Sequence, residues 1–597
     1  MLAVQITKKR RSIMTIDIFV VLAYFCFLIA IGWMFRKFTT STSDYFRGGG
    51  KMLWWMVGAT AFMTQFSAWT FTGAAGRAFS DGFTIVILFL ANAFGYFLNY
   101  LYFAPKFRQL RVVTAIEAIR MRFGKTTEQF FTWGGMPDSL ISAGVWLNGL
   151  AIFVAAVFNI PMETTIIFTG AALTLMAVTG GSWAVIASDF MQMLVIMAVT
   201  ITCAIAAYFH GGGLGNIVAN FQGDFMVGNN LNYISIFVLW VVFIFVKQFG
   251  VMNNSINAYR YLAAKDSENA RKAAGLACIL MVIGPLIWFL PPWYVNAFMP
   301  EFATEYAAMG GDAAYLAFVQ NVMPAGMVGL LMSAMFAATM SSMDSGLNRN
   351  AGIFIVNFYQ PILRKNASQN ELVLVSKITS VFMGLIIISI GLFINSLRHL
   401  SLFDIVLNIG SLIGFPMLIP VLLGMWIRKT PDWSGWSTLV VGGFVSYIFG
   451  IALAPHHVEG LLGLSQELTS REWSDLVVGL SLAAHVIFTG GWFVMTRLFY
   501  KPLPAEREAE VEQLFTNWNT PLIAEGEDQD NLDTAQRSML GNLISVAGFG
   551  IIAMALIPND PSGRGLFVLC GTIVLCVGIM LVQAARKPVA KKVKVSA

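Results

Sequence analysis

The sequence predicts an all-α polytopic membrane protein, and three observations carry that prediction. Of 597 residues, 57% are hydrophobic and 12% charged, against about 25% charged in soluble domains. The apolar residues gather into spans of about twenty, the length a helix needs to cross hydrocarbon. Basic residues collect in the short segments between alternate spans, where they set orientation. The net charge of +6 is thus a topology signal and implies no nucleic-acid partner.

Residues 1–13 contain Lys8, Lys9, Arg10 and Arg11, and a first span follows at 14–35. It lacks a small-residue cleavage site and exceeds a signal-peptide core, so a retained helix is expected. Further spans are expected near 53–79, 84–104, 130–158, 162–180, 184–208, 234–258, 273–298, 324–358, 373–396, 401–427, 435–454, 474–498, 537–557 and 564–585, fifteen with the first. With the N-terminus outside, the inner loops hold clusters such as Lys106, Arg108, Arg111, Arg120, Arg122 and Lys125, and the outer loops only single arginines: Arg77, Arg398, Arg471 and Arg564. That pattern puts the C-terminal Lys591, Lys592 and Lys594 in the cytoplasm and the protein in a cell (inner) membrane. The Lys8–Arg11 cluster runs against it, and a translation start at Met14 would remove the conflict. Segment 501–536 has nine acidic and two basic residues. No apolar repeat stands out, so a flexible, soluble cytoplasmic segment is expected. The last two spans then form an appendage.

The five cysteines lie in apolar spans and none forms a CxxC pair, so no disulfide framework or zinc site is implied. Only His456 and His457 are adjacent, in a loop beside Pro455.

Candidate chemistry centres on Met332–Gly346, MSAMFAATMSSMDSG. Ala338, Ser341, Ser342 and Ser345 share one helix face, with Asp344 on its flank. In hydrocarbon such groups are costly unless they bind something, and hard cations want oxygen ligands. Close helix packing is the competing account of the serines. Asp344 tips the balance to ion binding.

Two spans read as broken helices. The second is interrupted by Gln65, Ser67, Thr70, Thr72, Gly73 and Gly76; the seventh by Lys247, Gln248, Gly250, Asn253 and Asn254. Such breaks at matching places in two halves point to a midplane site between inverted repeats. Asp189 and Gln192 open the sixth span on one face; Asp189 either sits near the interface or binds a ligand. Lys247 lies roughly 20 Å into its span at 1.5 Å per residue, beyond easy snorkelling. It needs an anionic partner, either Asp138 at comparable depth or a substrate carboxylate.

Five stretches resemble the solute:sodium symporter family, relatives of the sodium/glucose, sodium/proline and sodium/sialic acid transporters: SDYFRGGGKMLWWMVGATAFMTQFSAWTFTGAAGRAFSDG, GGSWAVIASDFMQ, NNSINAYRYLAAKD, AATMSSMDS and LLGMWIRKTPDWSG. The similarity runs from about Thr15 to Thr438. The resemblance implies a five-plus-five inverted-repeat core with one helix before it and about four after. It divides the chain into 1–51 with the first helix, a transport core 52–430, extra helices 431–500, the acidic loop 501–536, and two last helices with a basic tail 537–597.

The implied activity is sodium-coupled import of a small organic solute, with one or two sodium ions co-transported. The main sodium site would use the Met63, Phe66 and Ala338 carbonyls with the Ser341 and Ser342 hydroxyls. A second, found in some members, would fall at Asp189, Ser341, Asp344 and Ser345, where Asp344 replaces a hydroxyl-bearing residue. Lys247 stands where sugar-transporting relatives have an Asn, Phe249 and Gly250 where they have gate tyrosines, and Thr70 where they have a Gln. The neutral-hexose pocket is therefore not reproduced. A buried lysine favours an anionic solute, a sugar acid or other carboxylate, with Gln65, Trp69, Thr70, Asp138, Lys247, Asn408 and Ser411 as pocket residues. Arg77 either draws such an anion or is a surface residue. A neutral sugar or amino acid, or proton coupling through Asp138, Asp189 or Asp344, is the alternative. An enzyme is disfavoured because no HExxH or GxSxG motif accompanies His485, the one histidine well inside a late span. The acidic loop is too short for a signalling domain. The expected partners are the solute and the bilayer; the sequence does not specify an oligomeric state.

Overall fold

The structure is a computed structural model that describes residues 16–27, 50–158, 160–179, 182–299, 310–396, 402–462, 466–523 and 527–586. The described residues are helical throughout, apart from turns, loops and one isolated parallel bridge, Met52 to Ala264. The main helices are α1 (Ile16–Phe27), α2 (Trp54–Met63), α3 (Ala68–Phe71), α4 (Gly73–Asp81), α5 (Thr84–Gln109), α6 (Ala115–Phe158), α7 (Met162–Thr179), α8 (Ser182–His210) and α9 (Ile234–Met252). They continue with α10 (Ser267–Phe298), α11 (Met327–Leu363), α12 (Gln369–Ser396), α13 (Leu402–Gly424), α14 (Ser434–Ala452), α15 (Ser470–Phe499), α16 (Ala505–Asn519), α17 (Glu527–Ala553) and α18 (Pro561–Arg586).

Among the described residues, twelve helices are long and apolar enough to cross a membrane, against fifteen expected. One part of the difference is physical: span 53–79 is broken into α2, α3 and α4, each too short alone. Spans 14–35 and 162–180 fall on Ile16–Phe27 and Met162–Thr179, each helix ending where the described residues do. Residues 28–35 and the basic cluster at 8–11 lie outside the described residues.

The helices sort into two groups. α2, α5, α9 and α10 pack on one another, and α6, α7, α11 and α12 pack on one another. α8 lies against both α2 and α11, and α13 against both α9 and α6. Small residues allow the close approach: a Cβ on Gly58 of α2 would stand 2.8 Å from the Ala273 carbonyl of α10. α6 turns sharply at Gly124, whose φ of +79° only glycine adopts freely. Just before that bend, the buried Arg122 donates to the carbonyls of Gly424, Ile427 and Arg428, capping the end of α13.

α9 departs from expectation. It runs unbroken through Lys247, Gln248 and Gly250 and ends at Met252. Gly250 is a packing residue, with Phe415 of α13 at 3.2 Å from where its Cβ would be. The break comes after it, where the Asn253 and Asn254 side chains donate to the Phe249 and Gly250 carbonyls at 2.9 and 2.8 Å. Several spans also carry wide π turns, among them Gly410–Gly414 in α13 and Ile355–Leu363 in α11, features often found near functional sites.

The acidic segment differs most. Residues 505–519 form the helix α16, which buries Val511, Leu514 and Trp518. Trp518 packs on Phe107 of α5, and Lys106 donates to the Trp518 carbonyl at 3.0 Å. Arg507 pairs with Asp432 at 3.1 Å, and Leu522 and Ser267 exchange backbone and side-chain bonds at the start of α10. α17 and α18 form a hairpin whose α18 lies on α8, so the last two helices are seated on the main body.

Candidate cation and solute site

The break between α2 and α3 exposes backbone oxygen where α11 passes. Ser67 is extended and caps α3 by accepting from the Trp69 amide. The helical ladder is interrupted here: the Phe66 amide donates to the Met63 carbonyl at 3.2 Å, one residue short of an α turn. The Ser342 hydroxyl faces both, 3.2 Å from Met63 O and 2.9 Å from Phe66 O. Thr339, one turn earlier on α11, accepts from the Ala68 amide at 3.2 Å. Ala338 and Ser341 are buried on the same helix. The Ser342 hydroxyl of α11 and two carbonyls at the α2–α3 break thus lie together.

A second polar cluster lies beside it. Asp189 of α8 is fully buried within the protein. It accepts from the Thr60 hydroxyl of α2 and lies 3.8 Å from Arg260 Nη2. Asp344 feels the charges of both Asp189 and Arg260. Among the described residues, one buried oxygen of each carboxylate, Asp189 Oδ1 and Asp344 Oδ1, has no hydrogen-bond partner. Arg260 also donates to Thr64 Oγ1 at 3.3 Å. Ser345 falls on α11 in the right register; its side chain lies outside the described residues.

A cavity of about 240 Å³ opens next to the break, lined by Gln65, Trp69, Asp138 and Lys247 among others. Lys247 is buried, and its ammonium donates to Leu407 O at 3.1 Å and Ser411 Oγ at 3.4 Å, both on α13. Asp138 forms no ion pair with it within 4.0 Å; the two approach α13 a turn apart. A Cβ on Gly410 would meet Lys247 Nζ at 2.9 Å, and one on Gly414 would meet Asp138 Oδ1 at 3.4 Å.

Three expected residues, Thr70, Asn408 and Ser411, do not line the cavity. Thr70 follows Trp69 and Asn408 follows Leu407, each turned about 100° away by the helix. Ser411 touches it only through Lys247. The sequence reading missed Arg349, which lines the cavity, donates to Ser139 Oγ at 3.0 Å and lies over the Tyr259 ring at 5.2 Å. His485 sits apart, bonded to Ser446 and Thr489 between α14 and α15.

One end of the cavity is shut. Trp69 stacks on Phe403 at 5.9 Å and donates to Leu402 O at 3.2 Å. Above them Arg77 is largely shielded, with its side chain 11% exposed. It meets Asp81 at 2.6 Å and Asp475 at 3.4 Å, while Arg471 meets Asp81 at 3.5 Å and Asp475 at 3.6 Å. Toward the other end the lining continues to Ile116, Arg349, Asn350 and Ile353.

Comparison with known proteins fits this arrangement. The chain is 27% identical to the sodium/glucose cotransporter of Vibrio parahaemolyticus, over 70% of this chain and 81% of that protein. It is 24% identical to the osmoregulated proline transporter of Bacillus subtilis, over 72% and 88%. It is likewise 24% identical to the sodium/sialic acid symporter of Aliivibrio fischeri, over 70% and 85%. The fold is similar to that of a substrate-bound, outward-open Na⁺-coupled sialic acid symporter, with a TM-score of 0.63 at 20% identity over 82% of this chain and 98% of that one. It is also similar to a nucleobase-cation-symport-1 family transporter in a closed conformation, with a TM-score of 0.50 at 14% identity over 78% and 98%. Residues 45–442 match the model of the sodium:solute symporter family, and the chain belongs to that family: an integral membrane, sodium-coupled symporter of small solutes, and not an enzyme.

Proposed function

We propose that sodium binds where α11 crosses the break between α2 and α3, and that its entry drives import of a small anionic solute through the central cavity. The observation that carries this reading is the Ser342 hydroxyl facing the Met63 and Phe66 carbonyls. Those three oxygens, with Ser341 Oγ and the Ala338 carbonyl, supply the hard donors a small cation needs. A second cation, sodium or a proton, is assigned to Asp189, Ser341, Asp344 and Ser345, where Asp189 lies beside the Arg260 guanidinium and Asp344 is buried.

The solute's anionic group is assigned to Lys247, with Gln65, Trp69 and Asp138 around it, Ser411 positioning the ammonium, and Thr70 and Asn408 as supporting positions. A sugar acid or other small carboxylate fits this charge. The alternative, a neutral sugar or amino acid, draws support from Asp138, an acceptor for hydroxyl or ammonium groups.

The transport core, 52–430, is read as two inverted five-helix halves, α2–α8 and α9–α13. Paired packing supports it: α2 on α10 mirrors α9 on α5, and α6 on α12 mirrors α11 on α7. The end bearing Lys106, Arg122 and Lys265 is assigned to the cytoplasm and the Arg77 end to the outside. Residues 431–500 and 537–597 are read as additions to the core.

The test is a thermal-shift screen of purified protein against acidic and neutral sugars and amino acids, in sodium chloride and in choline chloride. Stabilisation by a carboxylate, enhanced by sodium, is expected. Ser341→Ala and Ser342→Ala should each weaken apparent sodium affinity by about tenfold or more, one to two hydrogen-bond equivalents. They should leave the ranking of solutes intact. Unchanged sodium affinity in both variants would remove the ion site from this position, and a solely neutral or zwitterionic ligand would end the anion assignment.

A further inference from the structure

We infer that the ring Arg77–Asp81–Arg471–Asp475 is the outer gate of the transport path, an ionic lock between α4 and α15 that parts before solute enters from that end. The inference rests on the proposed reading of the cavity as the solute site.

The ring alternates charge: each arginine meets both aspartates, at 2.6 to 3.6 Å. All four side chains are at most 11% exposed. Removing one member leaves an uncompensated buried charge, which is strongly destabilising. Yet the ring is built to divide. Arg77 and Asp81 are neighbours one turn apart on α4, and Arg471 and Asp475 are the same on α15. When the helices separate, only the two cross-links break, and each helix keeps a neutral pair of its own. Ordinary buried ion networks do not offer that division.

The ring is also placed to act as a gate. Apart from it, α4 and α15 barely pack. α15 is a fixed post: its first turn carries a full capping box, Glu472 accepts from the amides of Asn232 and Tyr233, and Ser474 donates to Asp404 at 2.8 Å. α4 continues directly from α3, which holds Trp69 over the cavity, and the Arg77 guanidinium lies 5.1 Å over the Phe403 ring on which Trp69 stacks. Moving α4 off α15 therefore lifts the Trp69–Phe403 lid. α15 lies beyond residues 45–442 that match the family, so the lock partner belongs to the added helices.

The test uses a reporter cysteine at Val406, which lines the cavity just below the lid, with the five native cysteines replaced. A membrane-impermeant maleimide is added to intact cells, at the face bearing the ring. Slow labelling is expected with the ring intact. Arg77→Gln and Asp475→Asn should each speed it about tenfold. The double variant should be slower than either single, because Arg471 and Asp81 remain as one balanced cross-link. Where a neutral variant fails to reach the membrane, Arg77→Lys and Asp475→Glu carry the test, with a rise of about two- to threefold from poorer geometry. Labelling unchanged in every variant, or a double variant as fast as the singles, overturns the gate. Sodium-dependent thermal stabilisation of the same variants is read in parallel. Its absence from the parent protein counts against the ion-site reading, whereas unchanged labelling with the sodium response intact counts against the gate alone.

Discussion

Lys247 carries three donor hydrogens and spends two of them on α13, on the Leu407 carbonyl and the Ser411 hydroxyl. One remains for whatever enters the cavity it lines. Replacing the ammonium by an isosteric apolar chain, Lys247→Met, should cost about 1.5–3 kcal/mol of binding to the best carboxylate ligand, the range for a hydrogen bond to a charged group. Isothermal titration against that ligand measures it, and an unchanged affinity would show that the carboxylate is read elsewhere. Much of this site was legible in the sequence, for a definite reason. Serines three and four apart on an apolar helix, and a lysine far from either interface, are costly placements that announce themselves. Arg260 was hidden because it sits in a connecting turn, where basic residues ordinarily report topology, and Arg349 because only the fold brings its place in α11 to the cavity. Thr60 and Thr339 were hidden because a lone threonine in a membrane helix is common. Only the fold brings Thr60 to Asp189 and Thr339 to the α3 amide.

At the scale of elements, α16 shows what a charge count conceals. Its buried positions, Val511, Leu514 and Trp518, lie three and four apart, but acids surround them and the stripe is only three residues long. Docking is tertiary: Trp518 finds Phe107 and a backbone bond to Lys106. Trp518→Ala should lose about 3–5 kcal/mol of local stability, as large core truncations do. Limited proteolysis with a Glu-specific protease is expected to cut within 505–523 several-fold faster in that variant. Equal cutting would mean that the helix is held by its ion pairs. α9 teaches the converse. Gly250 and two asparagines suggested a break within the span, yet the helix closes its own last carbonyls with asparagine amides. Polar residues cluster at a helix end as readily as at a kink, and sequence does not separate the two. The broken α2–α4 was legible because glycine, serine and threonine there outnumber what one helix end requires.

For the whole molecule, the two packing groups meet along α8 and α13, and the cavity lies at that seam. The 3₁₀ turn Gly310–Ala313 lies over α4 as a cover. Asp312 of that turn sits over Gly76, and burial, aided by the charge of Asp404, pushes its carboxyl up to about 7. In the covered arrangement Asp312 thus holds a proton more firmly than in water. The cover is therefore most favoured at low pH and loosens as pH rises from about 4 through about 7. Hydrogen exchange across 310–322 should quicken over that interval, and Asp312→Asn should flatten the response. An exchange rate independent of pH after correction for intrinsic chemistry would remove Asp312 from the control of the cover.

The four-residue ring at that same end has one more consequence. Two positive and two negative groups sum to zero, and so does each half once α4 leaves α15. A charge crossing the whole bilayer gains or loses about 2.3 kcal/mol per 100 mV, but a neutral door swinging through the same field does no electrical work. Voltage then has no grip on the door, and the electrical sensitivity of the cycle resides in the ions that pass through it.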